Sequence, residues 1–192
     1  MNRIVPFVLL FMYACPHLLA QENESPVVLT NLNPRHQLYR GTPMAYLADQ
    51  YPQLVVRSVK SSWMISPFTM QGIGRNTMGW YRLEVKGTYS WEDSFYTNYK
   101  MFKLADSTGN RIWQEFIAQE LFSLKTQSDV LHPPCGSAIF DAGTAVIEIV
   151  VDGKYKRIEY DSPEFYERRC PVLTERTRFL RCFRIFDTVP GK

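Results

Sequence analysis

The sequence predicts an α+β domain: a mostly antiparallel sheet with two helices packed on one face. Three observations carry that prediction. Thr144 to Tyr160 reads as two β-rich runs around Asp152-Gly153. Asp-Gly between such runs is a strong hairpin signal, because Gly accepts the positive φ that a type I′ turn demands. Ile112, Trp113, Phe116, Ile117, Glu120, Leu121 and Leu124 fall at three–four spacing within Arg111 to Leu124, which is one face of a helix. Val172, Leu173, Arg176, Phe179, Leu180, Phe183 and Phe186 repeat that spacing near the C-terminus.

The chain opens on an address. Arg3, the apolar run Ile4 to Ala14, Leu18-Leu19-Ala20 and the polar Gln21 to Ser25 have the layout of a secretory signal peptide over residues 1–20. The run is shorter than the ~20 residues a membrane-spanning helix needs. Lipidation of Cys15 is the alternative, and the bulky Tyr13 and the following Pro16 fit it badly. No second apolar stretch approaches membrane length. The expectation is a secreted or periplasmic single domain, residues 21–192, with no transmembrane segment after cleavage.

Its first part, residues 21–77, is hard to read. Turn signals stand at Asn33-Pro34 and Gly41-Thr42-Pro43, and Met44 to Gln50 could form a short helix. Leu54-Val55-Val56 and Ser62 to Phe68 read as strands, and Gly72, Gly74 and Asn76 as a break. From Trp80, the residues Trp80, Arg82, Glu84 and Lys86 alternate with Tyr81, Leu83 and Val85, the period of a strand. Gly87-Thr88 reads as a turn and Tyr96 to Leu104 as the next strand. Asp106 to Asn110 reads as a loop, with Asn110 capping the helix from Arg111.

In the Asp-Gly hairpin a two-residue loop sets Val151 opposite Lys154. Ala145, Ile147 and Ile149 then share a face with Lys156, Ile158 and Tyr160, the face expected to be buried. Glu148 stands across from Arg157, a pair worth about 0.2–1 kcal/mol. Asp161-Ser162-Pro163 ends the strand, and Pro171 suits the first turn of the last helix.

Phe116 to Leu124, Asp141 with Thr144, Ile147-Glu148-Ile149, Asp152 to Ile158 and Pro171 together resemble families of small secreted bacterial α+β domains of unknown function. The resemblance covers roughly residues 78–187. It implies a hairpin–helix–hairpin–helix plan with both helices on one face of the sheet, and brings no catalytic motif with it.

Removing residues 1–20 leaves 21 basic against 19 acidic residues, a charge of +2, and three cysteines. So weak a charge argues against nucleic acid as the main partner. Export permits a disulfide. In a continuous helix Cys170 and Cys182 would lie about 18 Å apart, whereas a disulfide holds its Cα atoms roughly 4.4–6.8 Å apart. A bridge therefore joins Cys135 to Cys170 or to Cys182. Cys135–Cys170 is preferred because both sit beside proline in loop-like text; three reduced thiols are the remaining alternative. Cys182 falls near the helix stripe, as a small core residue would.

No nucleophile elbow, P-loop or HExxH motif occurs, so no catalytic residue and no cofactor are assigned. His132 with Cys135 falls short of the four ligands of structural zinc, and no metal site is assigned. The carboxylate pairs Asp141/Glu148 and Asp161/Glu164 arise easily among 19 acids. Two features stand out. The aromatic block Trp80, Tyr81, Tyr89, Trp91, Phe95, Tyr96 and Tyr99 could anchor a partner, with Trp80, Tyr89, Trp91 and Tyr96 as candidate binding residues. Arg176, Arg178, Arg181 and Arg184 could form a basic surface, although Glu164, Glu167, Glu175 and Asp187 lie among them. The leading functional expectation is a non-enzymatic domain binding a protein or envelope component. An exported hydrolase of cell-wall or glycan material and a structural subunit of an envelope assembly are the alternatives.

Overall fold

A computed structural model describes residues 33–34, 43–60, 65–90, 94–130 and 143–189. Among the described residues seven strands form one antiparallel sheet: β1 (Asn33–Pro34), β2 (Gln53–Lys60), β3 (Ile65–Asn76), β4 (Gly79–Ser90), β5 (Ser94–Lys103), β6 (Thr144–Val151) and β7 (Lys154–Asp161). Their spatial order is β1-β7-β6-β2-β3-β4-β5. The helices are α1 (Pro43–Gln50), α2 (Asp106–Ala118), α3 (Pro163–Arg169) and α4 (Thr174–Ile185). The architecture is α+β, with the sheet dominant.

The β6–β7 hairpin has the register its sequence demands. Val151 pairs with Lys154, Ile149 with Lys156, Ile147 with Ile158 and Ala145 with Tyr160. Asp152 and Gly153 have φ of 49° and 75°, the positive pair of a type I′ turn. Glu148 faces Arg157, with Oε1 and Nη1 3.6 Å apart.

Each face of the sheet carries a buried core, where the sequence pointed to one. The reason is the near-continuous apolar run of β6, which puts bulk on each side. Val55, Ile73, Trp80, Ile147, Ile149, Ile158 and Tyr160 share a core with Ile112, Trp113 and Phe116 of α2 and Phe179, Leu180 and Cys182 of α4. Leu54, Val56, Met70, Tyr81, Leu83, Val150 and Tyr155 share a second core with Leu47 and Ala48 of α1 and with Tyr51.

Several boundaries differ from the sequence reading. Gly72 and Gly74 do not break the chain; both lie inside β3. A Cβ on Gly74 would come within 2.8 Å of the Tyr51 ring, so this glycine lets Tyr51 lie close against the sheet. Gly87-Thr88 is no turn but part of β4, beside a register shift between Lys86 and Gly87 that leaves Thr97 unpaired. Asp106 to Asn110 is no loop but the start of α2, where Asp106 puts negative charge in the first turn. Asn110 therefore lies within the helix, and its Oδ1 accepts a hydrogen bond from Trp80 Nε1 at 2.7 Å. Pro163 opens a helix, α3, that the sequence reading missed, and Pro171 precedes the α4 helix instead of starting it.

Candidate binding surface

The aromatic block divides on folding. Trp80 is 1% exposed and is corrected from a binding residue to a core residue. Its indole lies 5.5 Å from that of Trp113, between ring centroids, and the Arg75 guanidinium sits 5.5 Å over it. Alternation alone could not show this, because α2 arrives from beyond β5 in sequence to cover it. Tyr89 and Tyr96 occupy β4 and β5, Tyr89 paired with Ser66 and Ser94, and Tyr96 with Gly87. Trp91 lies outside the described residues.

These strands reach beyond the middle of the sheet. Pairing of β2 with β3 stops at Ser58–Met70, and β2 continues only along β6. Ile65 to Thr69 pair with β4 alone. The result is a three-stranded wing of residues 65–69, 86–90 and 94–98.

The basic run also divides. Arg176 is 5% exposed and does not belong to a basic surface. Its Nε meets Glu167 Oε2 at 3.2 Å and its Nη2 donates to the Cys170 carbonyl. Thr177 Oγ1 donates to Glu167 Oε1 at 2.6 Å. The guanidinium thus locks α3 to α4, because a buried cation requires a paired carboxylate and a carbonyl acceptor. Arg178 is ion-paired to Glu120. Arg181 and Arg184 are exposed.

Cys170 is disulfide-bonded, and Cys182 is a free buried thiol, so Cys182 is not its partner. Cys135, His132 and Asp141 lie outside the described residues. Among the described residues no three His, Cys, Asp or Glu side chains cluster as metal ligands.

Glu148 is held by other side chains. Tyr155 O–H donates to its Oε1 at 2.6 Å, beside Arg157. Burial, then the Glu148 charge, pushes the Tyr155 phenol upward, so it remains a donor. Thr126, Gln127, Ser128, Val130, Glu159 and Asp161 line a recess of about 320 Å³. Its polar groups are engaged with β7. Thr126 Oγ1 accepts from Glu159 N at 3.0 Å and donates to Glu159 O at 3.1 Å, and Gln127 Oε1 accepts from Asp161 N at 2.7 Å. These contacts cover the edge of β7 with side chains. Asp161 also accepts from Thr144 Oγ1 at 2.5 Å, and Glu164 is exposed at the start of α3.

Three buried groups give the fold a defined response to alkali. Burial holds the Lys156 amine down at about 8, from 10.5, where Nζ donates to the Phe122 carbonyl at 2.9 Å. Burial pushes the Cys182 thiol from 9.0 to about 12 and the Tyr160 phenol from 10.0 to about 12. From about pH 8 to 10.5 the unfolded chain holds the Lys156 proton more tightly, so stability rises with pH on that account. Above pH 9 the unfolded thiol ionises first and stability falls through about 12, with Tyr160 adding to the fall above 10. Urea midpoints of the wild type should therefore turn downward in alkali, and Cys182→Ala should show a shallower decline. Equal slopes for the two proteins would exclude the thiol as a cause.

No helix among the described residues is long and apolar enough to cross a membrane. No protein-family model matches the chain, and no curated protein sequence matches it.

Proposed function

We propose that the chain is an exported, non-enzymatic binding module that recognises a protein or envelope component. One observation carries the reading: the wing of β3, β4 and β5 continues past the point where β2 leaves it, and the aromatic block lies along this part of the sequence. Aromatic side chains on a sheet extension supply a partner with large contact area at little entropic cost. Arg176 and Glu148 support the same reading, since both are committed to partners within the fold.

The layout N-terminal to the domain places it in the secretory route, and Cys135 is the partner we assign to the bonded Cys170. We further place α2 and α4 as one layer over the Ile147 face, supported by their common core. The order β4-β5-α2-β6-β7-α3-α4, which adds α3 to the hairpin–helix–hairpin–helix plan, supports a relation to the small secreted α+β domains that the sequence resembles.

Trp91→Ala and Tyr89→Ala should leave the unfolding free energy within about 0.5 kcal/mol of wild type, the effect of substitutions outside a core. Both should abolish capture of a partner from envelope extract by residues 21–192. Undiminished capture by the folded variants would remove the aromatic surface as the binding site.

A further inference from the structure

We propose that the free edge of β5 takes up an extended acidic peptide segment of a partner as an added strand. The inference rests on the binding-module reading and adds to the aromatic wing the neighbouring stretch of β5 at Lys100 to Lys103, with the chemistry of the partner it takes. The two edges of the sheet are treated differently. On β7, Asn33 and Pro34 pair with Tyr155 and Lys154, and Thr126 and Gln127 satisfy the amides of Glu159 and Asp161. On the other side, among the described residues, β5 is the terminal strand and pairs with β4 alone.

The register shows which β5 amides face outward. Leu104 N donates to Trp80 O at 2.9 Å, so these opposed residues form a hydrogen-bonded pair. Such pairs alternate along an antiparallel ladder. Phe102 with Arg82 and Lys100 with Glu84 are therefore the next bonded pairs. The N–H and C=O of Met101 and Lys103 then point away from β4, where an added strand would bond. Lys100, Met101 and Lys103 are all exposed, Met101 at 50%. Tyr51 O–H donates to Met101 Sδ at 2.7 Å and holds that side chain in place.

Charge selects the occupant. Lys100 and Lys103 project from opposite faces of β5 by strand alternation, and among the described residues neither forms an ion pair. An antiparallel copy of β5 would bring lysine against lysine, which discourages self-pairing. A strand with carboxylates three positions apart would meet one lysine on each face. The complementary segment is thus extended and β-prone, with a Glu-x-x-Glu spacing.

The test uses residues 21–192 and a capped nine-residue Val/Thr peptide carrying Glu at its fourth and seventh positions, read by amide hydrogen exchange. Protection should rise at Met101 and Lys103, and added salt should reduce it. The double variant Lys100→Glu/Lys103→Glu should weaken this binding about tenfold and favour the peptide with Lys in place of Glu. Absence of added protection, or protection unaffected by the charge reversal, would overturn the proposal. So would amides already protected without peptide, whether through self-association at rising concentration or through the chain's own residues. Met101→Pro separates the two readings. A partner captured equally by this folded variant would refute the edge and leave the binding module standing, whereas failure of both proteins to capture anything would count against the module itself.

Discussion

Gly109→Ala should destabilise the protein by about 3 kcal/mol or more, at the upper end of what overpacking costs. In an ordinary helix interior the same change stabilises by about 1 kcal/mol, because Ala is the better helix former. Here the added Cβ would stand 2.0 Å from Trp80 Cγ and 2.4 Å from its Cβ and Cδ1. The indole has little room to retreat. Its Nε1 donates to Asn110 Oδ1 at 2.7 Å, and Trp113 and Arg75 hold its ring. Nor is the helix free to rise, since Gly109 N donates to Ala105 O at 3.0 Å within its first turns. Urea unfolding followed by tryptophan fluorescence gives the value. A variant as stable as wild type would show that α2 and β4 do not meet at this spacing. Trp80→Phe in the same background should recover little of the loss, because phenylalanine keeps the Cβ, Cγ and Cδ1 atoms that the new methyl meets and frees only the space of the second indole ring. The double-mutant cycle should then be non-additive, as it is for residues in contact.

The contact between Gly109 and Trp80 also marks the limit of sequence reading. The β6–β7 hairpin was legible to the residue, because its register depends on Asp152-Gly153 and on alternation within seventeen consecutive positions. The apolar face of α2 was legible for the same local reason as far as Ala118, where the helix ends; Leu121 and Leu124, expected on it, follow left-handed Glu120 in and after a 3-10 turn. What failed depended on distant partners. Gly72 and Gly74 resemble breakers until Tyr51 and Leu83 come to lie against them. Insertion of β2 between β6 and β3 pairs Val55 with Ile149, and no local signal announces it. Trp80 looks like one aromatic among seven until α2 covers it. Arg176 looks like a surface arginine because its position in the helix stripe says nothing of Glu167 and the Cys170 carbonyl, which α3 supplies. Of the candidate surface, the sequence supplied the aromatic block but gave no sign of the β5 edge. Which strand is terminal is a property of the order β1-β7-β6-β2-β3-β4-β5 and not of any strand by itself.

Arg57→Met should cost about 2–4 kcal/mol, the second large effect, through the C-terminal end of α4. Arg57 lies on β2, and its Nε donates to Gln71 Oε1 at 2.8 Å. Its Nη1 donates to the Phe183 carbonyl at 2.5 Å, and its Nη2 reaches Gln71 and Asp187. The guanidinium also lies 4.9 Å from the ring centre of Phe183 and 5.3 Å from that of Phe186. The last carbonyls of a helix have no partner within it, and the negative end of its dipole favours a cation. Arg57 meets both needs from the sheet, and Arg82 Nη1 repeats the device on the Val189 carbonyl at 3.3 Å. Methionine keeps apolar bulk but leaves the Phe183 carbonyl unsatisfied, at about 1–3 kcal/mol, and removes contacts with two rings at about 0.5–2 kcal/mol. The ion pair contributes least, because the Asp187 side chain is 61% exposed. Asp187→Asn should therefore cost less than about 1 kcal/mol, and Arg57→Lys, which keeps the charge and loses the fork, should fall between the two. Hydrogen exchange should locate the loss of protection in the last turn of α4 and in Phe186 to Thr188. The order of the three variants decides the cause. If Asp187→Asn proved as damaging as Arg57→Met, the surface charge would be the anchor. The expected order assigns that role to the carbonyl and the two rings, and makes β2 the strand that fastens the end of α4 to the sheet.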